Sequence, residues 1–236
     1  MGEESASEAA YRSIGWNWSF LVAESLRVGR VRSGTPALPP RPAAEGTRGR
    51  ILLAGLRLFA EHGYHGTSIR DIAAEAAVQS ASLYAHFPSK EAILTELVLA
   101  GHEEHHARLV TALLHSGTDP RDRLAALVRA HVRAHTDYPM LAVVASNEMH
   151  ALSPAAAAPA VAVRSRSEAL LTEVLAIGQQ QGVFDLVHPE ATAAAIGSMG
   201  LRVANWYPAP QVGLSPSQLA DAYAALALRM TGARPQ

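Results

Sequence analysis

The chain has 236 residues, 49% hydrophobic and 17% charged, with a net charge of −1 and no cysteine. Such a composition gives a globular protein with core enough for one or two domains, and it excludes a disulfide framework, a thiolate metal site and a cysteine nucleophile. The missing thiols fit a reducing cytoplasm, and no apolar run reaches the ~18 residues that a membrane span needs.

Charge is uneven along the chain. Residues 41–90 carry a net +2 and residues 91–236 a net −3, which suggests a weakly basic head on a mildly acidic body. Residues 1–46 differ from the rest. "SGTPALPPRPAAEG", Ser33 to Gly46, cannot hold a helix, because its prolines remove backbone donors and fix φ. The stretch is predicted to be an unstructured extension and linker, with Trp16, Trp18 and Phe20 upstream of it.

From Thr47 the pattern is helix after helix. The first runs to His62 and carries Ile51, Ala54, Gly55, Leu58 and Phe59 on one face, with Gly63 as its stop. Thr67 is the predicted cap of a second helix with Ile69, Ile72, Ala73 and Ala76 on its inner face. A third spans Ser80 to His86, Pro88 ends it, and Ser89 caps a fourth that runs through Leu114. After the turn "GTDPRD", helices are expected over 121–136, 140–151, 160–181, 189–206 and 215–230. No strand pattern and no repeat is visible, so the fold class is all-α, with residues 47–94 forming a helix-turn-helix domain and 95–236 a second helical domain.

"TSIRDIAAEAAVQSASLYAHFPSK", Thr67 to Lys90, is two short helices joined by a tight turn, the layout of a helix-turn-helix. "AAEAAV" supplies the small residues that let two backbones cross closely. Gln79, Ser80, Ala81 and Ser82 give the second helix short polar groups and a methyl at its start, suited to base edges in a major groove.

The wider stretch Ile51–Leu94 resembles the DNA-binding domain of TetR-type transcriptional repressors. The resemblance rests on Phe59, Gly63–Tyr64, Thr67, Ile72–Ala73, Leu83–Tyr84, His86–Phe87 and Lys90. Two positions depart from the family pattern. Ala77 stands where glycine is usual, at a cost of ~1 kcal/mol if the turn needs a left-handed residue. Gly55 stands where alanine is usual and weakens the first helix slightly. The resemblance implies phosphate contacts from Thr67, Tyr84, His86 and Lys90, and base contacts from Gln79, Ser80, Ala81 and Ser82. Arg48 and Arg50 would form a basic arm reaching phosphate or the minor groove.

It also implies a homodimer on a palindromic double-stranded operator. The last two helices would supply the interface: Ala193, Ile196, Gly197, Gly200, Leu201 and Ala204 on one, Leu219, Ala222, Tyr223, Leu226 and Met230 on the other. Between head and interface, apolar walls with a few polar anchors would hold a small effector. The candidates are Met140, Val144, Asn147, Glu148, Met149, Leu171, Val174, Met199, Arg202, Trp206 and Tyr207. The tail "NWYPAPQVGLSPSQLADAYAALALRM" resembles the branch of the family that senses fatty-acid or steroid acyl-CoA thioesters, which would make the protein a ligand-released repressor without catalysis or cofactor.

His102, His105 and His106 share a helix face at metal-ligand spacing, but the expected reading is solvated surface, and no metal site is assigned. Two alternatives stand beside the regulator: a DNA-binding module without a ligand, and an all-helical enzyme using Glu148 and His150 of "SNEMH". Against the enzyme, the chain lacks a phosphate loop, a nucleophile elbow and a metal triad.

Overall fold

A computed structural model describes residues 35–40, 45–207 and 213–233; Trp16, Trp18 and Phe20 lie outside the described residues. Among the described residues there are nine α-helices, one 3₁₀ turn and no strand. Part of the predicted linker is not free: Leu38 packs against the head core, and Pro39 is buried.

The head is α1 (Gly46–His62), α2 (Ile69–Glu75) and α3 (Ser80–His86). Gly63 ends α1 at φ 74°, where its N–H still reaches Phe59 O. The cap of α2 is Ser68, not Thr67. The Ser68 hydroxyl accepts from Asp71 N, and the Asp71 carboxylate accepts from Ser68 N, a reciprocal capping box. Thr67, one residue earlier, is buried (3% exposed) in the corner between α1 and α2. Its hydroxyl donates toward Leu58 O and Gly63 O, at 3.2 and 2.9 Å.

The turn into α3 forms without the family's glycine. Ala77 takes φ 52°, the one positive φ among the described non-glycine residues. Val78 N donates to Ala73 O at 2.9 Å and Ala77 N to Ala74 O at 3.1 Å. These two bonds are the Schellman closure of a helix C-terminus, so the turn keeps its geometry and the alanine carries the strain. Gly55 has a positive role that its low helix propensity conceals. A Cβ there would fall 2.8 Å from Ile93 Cγ2, so α1 and α4 approach this closely only because the position is bare.

The body comprises α4 (Lys90–His115), α5 (Pro120–Asp137), α6 (Pro139–Asn147), a 3₁₀ turn (Met149–Ala151), α7 (Pro154–Gln180), α8 (Pro189–Trp206) and α9 (Pro216–Met230). Helix α7 begins six residues before its predicted start, at Pro154, with Pro159 inside its second turn. A proline so near the N-terminus costs one backbone bond, and the alanines around it sustain the helix.

Two apolar cores hold the molecule. The first joins head to body: Ile51, Phe59, Leu83, Phe87, Ile93 and Leu94 pack with Met140, Leu141 and Val144 of α6. The second lies among α5, the end of α7, α8 and α9, around Leu124, Val132, Leu175, Val203 and Leu219. No described helix is long and apolar enough to cross a membrane.

Candidate functional site

The exposed face of the head is built around α3. Leu83 and Phe87 are buried and anchor it. Gln79, Ser80, Ala81, Ser82, Ala85 and His86 are exposed, and Tyr84 is 53% exposed. A tyrosine hydroxyl and short polar groups on one open helix face make a surface that can meet a nucleic-acid groove. Arg50, near the start of α1, is exposed and bonds weakly to Thr47 Oγ1 at 3.4 Å.

Three of the predicted contact residues have other engagements. Thr67 is buried and bonded internally, as described. Lys90 Nζ donates to Tyr64 O and Thr67 O, both at 2.7 Å, and sits 4.0 Å from the Tyr64 ring centre. Partial burial lowers its pKa from the ordinary lysine value. Lys90 thus ties the α1–α2 loop to the start of α4 and leaves one N–H free of these two bonds. Arg48 donates to His86 O at 2.9 Å, pairs with Glu96 and lies 4.2 Å from the Phe87 ring centre. It clamps α1 to the end of α3 and to α4.

Head and body are also joined by a carboxylate that the sequence reading did not place. Glu148 Oε2 accepts from Tyr64 N at 3.0 Å and so links head to body, while within the body Glu91 Oε1 of α4 accepts from Ser153 N, at the start of α7, at 2.8 Å. By sequence, Glu148 is a candidate both for a ligand contact and, with His150, for the site of an enzyme. It is instead a strut between α6 and the corner after α1.

Inside the body, α4, α5, α6, α7 and α8 line a cavity of about 760 Å³. Leu109, Leu127, Leu141, Leu171, Leu175 and Ile196 supply apolar wall, and His102, His105, His131, His135, Glu104, Glu168 and Arg164 supply polar atoms. Gly101 and Gly200 allow the close packing around it: a Cβ at Gly101 would lie 2.7 Å from Ala145 Cβ, and one at Gly200 would collide with the His131 ring.

Of the eleven predicted ligand residues, Leu171 alone lines this cavity. Met140 and Val144 are buried in the head–body core, and Met149 packs against it. Val174 is buried in the second core and Tyr207 packs on it, donating to Leu214 O at 3.2 Å. Trp206 is 36% exposed. Asn147, Met199 and Arg202 are half-buried outside the lining, and Glu148 is the strut described above.

His102, His105 and His106, expected on solvated surface, are not exposed, and His131 and His135 of α5 lie with the first two in the cavity wall. His105 Nε2 lies 2.7 Å from His131 Nδ1, His131 Nε2 lies 2.9 Å from Gly197 O, and His135 Nδ1 lies 2.7 Å from His131 O. Burial is the first cause that pushes these imidazoles down. His102 falls to about 4 and His135 to about 3, with His131 below its ordinary value and His105 well below it. All four are neutral at pH 7. Their contacts are to each other and to carbonyls, and no described group of three or more His, Asp or Glu is arranged to hold a metal ion.

Two family patterns match the chain. "Bacterial regulatory proteins, tetR family" covers residues 51–97, and "Tetracyclin repressor-like, C-terminal domain" covers residues 117–231. The HTH-type transcriptional repressor KstR2 of Rhodococcus jostii is 38% identical over 99 residues, which is 41% of this chain and 48% of that protein. The chain thus matches about half the length of that relative. A solved regulatory protein in the tetR family from Rhodococcus RHA1 is 32% identical, with a TM-score of 0.75 over 83% of this chain and 100% of its own. The ketosteroid transcriptional regulator KstR2 of Mycobacterium tuberculosis is 27% identical, with a TM-score of 0.73 over the same shares.

Proposed function

Since this chain belongs to the tetR family of bacterial regulatory proteins, whose members are DNA-binding transcriptional regulators, we propose that it is a homodimeric repressor released from a palindromic operator by an apolar effector. The effector would occupy the cavity among α4, α5, α6, α7 and α8. Its apolar part is a steroid or fatty-acyl skeleton, delivered as a coenzyme A thioester.

The observation that carries this reading is the reach of α4. Its first turns hold the head: Lys90 bonds the α1–α2 loop, and Ile93 and Leu94 are fully buried in the head core. Three turns on, Gly101, His102, Glu104, His105 and Leu109 of the same helix line the cavity. A 26-residue helix moves as one body ~39 Å long. A ligand that displaces its middle tilts its start. Two recognition helices on grooves one turn apart, ~34 Å, tolerate little change in separation, so a cavity ligand that favours the tilted state weakens operator binding.

The cavity volume lies within the range of drug-sized sites. The name of the ketosteroid regulator favours a steroid-derived effector. Arg164 is the one arginine or lysine among the described residues that line the cavity, and its guanidinium already pairs with Glu168 at 2.8 Å. A polyanionic coenzyme A head therefore stays outside while the apolar part enters.

Trp206, Leu226 and Met230 supply exposed apolar surface on α8 and α9, at 36%, 42% and 38% exposure. With exposed Ala222, these side chains are the proposed dimer contact. Ile196, Gly200, Ala204 and Leu219, expected there, are buried inside the protomer instead.

The test is selection of bound duplexes from a random DNA pool, followed by titration of the complex with steroid and fatty-acyl coenzyme A thioesters. A palindromic consensus, and release by one thioester class, is the expected result. Asymmetric or sequence-independent binding that no thioester alters overturns the reading.

A further inference from the structure

The cavity histidines have a fixed pattern of hydrogens, and it constrains what they can recognise. A carbonyl oxygen only accepts, so His131 Nε2, 2.9 Å from Gly197 O, carries a hydrogen. Neutral His131 then has a bare Nδ1. His105 Nε2, 2.7 Å away, must donate to it, which leaves His105 Nδ1 bare. His135 Nδ1 faces His131 O at 2.7 Å and must donate, which leaves His135 Nε2 bare. His102 is bonded to the backbone of Ala145, and its Nε2 is buried with no protein partner. The bond to Ala145 is therefore made by Nδ1, which donates to the carbonyl, and His102 Nε2 is bare as well.

From this chain of bonds we propose that the cavity selects an effector that donates hydrogen bonds, an apolar molecule bearing a hydroxyl group, over one that only accepts them. The proposal rests on the reading of this cavity as the effector site. His102, His105 and His135 offer lone pairs, and each is held in that tautomer by a bond to a backbone carbonyl or to another imidazole. Turning one ring nitrogen into a donor breaks such a bond or requires a proton. Burial opposes the proton, holding His102 at about 4 and His135 at about 3. An inserted alcohol gives its hydrogen to a bare nitrogen that otherwise lacks a partner. A ketone brings a second lone pair to the same place, and a carboxylate brings its charge against imidazoles that burial keeps neutral.

Two measurements test this on the full chain. Binding of 1-dodecanol, 2-dodecanone and dodecanoate at pH 8 is compared by calorimetry. We expect the alcohol to bind at least roughly tenfold more tightly than either of the others, and His102→Leu with His105→Phe to bring the alcohol and ketone within about threefold of each other. Equal binding of alcohol and ketone by the wild type overturns the proposal and leaves the apolar effector site standing. Failure of all three to bind overturns both. Long-range ¹H–¹⁵N correlation of the wild-type imidazoles reads the tautomers directly, without a variant. Nε2–H forms of His105 and His131, with Nδ1–H forms of His102 and His135, are expected. A hydrogen on His105 Nδ1, or a doubly protonated His102 at pH 7, overturns it.

Discussion

The carboxylate of Glu148, at the end of α6, accepts a hydrogen bond from the backbone N–H of Tyr64, at the corner after α1. It does so across 84 residues of sequence, at 3.0 Å. The bond ties the body, with its cavity, to the head that carries α3.

Removing that strut tests the connection. Glu148→Ala is expected to cost about 1 kcal/mol, the worth of a half-exposed charge-assisted bond. In a chain of this size that is a drop in Tm of roughly 2–4 °C by scanning calorimetry. Because the bond joins the moving parts, the variant also loses part of the operator release that effector produces. Unchanged release in mobility-shift titrations would show that the coupling runs through α4 alone.

Tyr84 and Lys90 separate cleanly. Tyr84 is exposed on α3, so Tyr84→Phe keeps its Tm and weakens binding to every duplex, while the slope of log affinity against log salt stays unchanged because the hydroxyl carries no charge. Lys90 is spent on Tyr64 O and Thr67 O, so Lys90→Ala lowers Tm by several degrees and reduces binding through the fold. A Lys90→Ala protein with wild-type Tm and a salt slope reduced by about 1 would return Lys90 to the phosphate contacts.

Ala77 and Gly55 invert simple propensity rules. Ala77→Gly relieves the left-handed strain at φ 52°, worth about 1 kcal/mol, against a slightly smaller gain in unfolded-chain entropy. The net is stabilisation of up to about 0.5 kcal/mol by chemical denaturation. Gly55→Ala gains about 1 kcal/mol of helix propensity but drives a Cβ into Ile93, whose side chain is fully buried. Overpacking of this kind costs about 1–3 kcal/mol, so the variant is less stable than wild type. Stabilisation by Gly55→Ala would contradict the close α1–α4 approach.

The buried histidines set a pH dependence. Their folded pKa values lie below the unfolded value of about 6.5, so between the two the unfolded chain binds protons that the folded chain refuses. Stability is therefore full above pH ~6.5 and falls as the solution is acidified toward pH 4, to which burial lowers His102. Each such histidine contributes a slope of up to about 1.4 kcal/mol per pH unit. Denaturation midpoints at pH 7, 6 and 5 should fall in order, and His102→Leu should flatten the trend. A midpoint independent of pH would mean that the four rings are not buried neutral.

The local features of this protein are legible in its sequence. The helix-turn-helix spacing, the stop at Gly63, the cap at Ser89 and the strain at Ala77 each depend on a few adjacent residues. The cavity does not. Periodicity marks Met140 and Val144 as apolar, but only the packing of α6 against α1 shows that they face the head. His102 and His105 on α4 have a surface pattern by themselves. They become cavity walls because α5 brings His131 and His135 against them, and that pairing is set by tertiary packing alone. A signal was present in "RAHVRAH": two histidines four residues apart amid apolar neighbours on one helix face.

Filling the body cavity is expected to change the distance between two copies of α3. The chain has no cysteine, so Ala74→Cys on the exposed side of α2 gives each protomer a single spin-label site. Pulsed electron-electron resonance then reads the separation of the two heads. The account predicts one narrow distance on operator DNA, and a longer or broader distribution when effector releases the DNA. The same narrow distance in both states, or no inter-protomer distance at all, would contradict it.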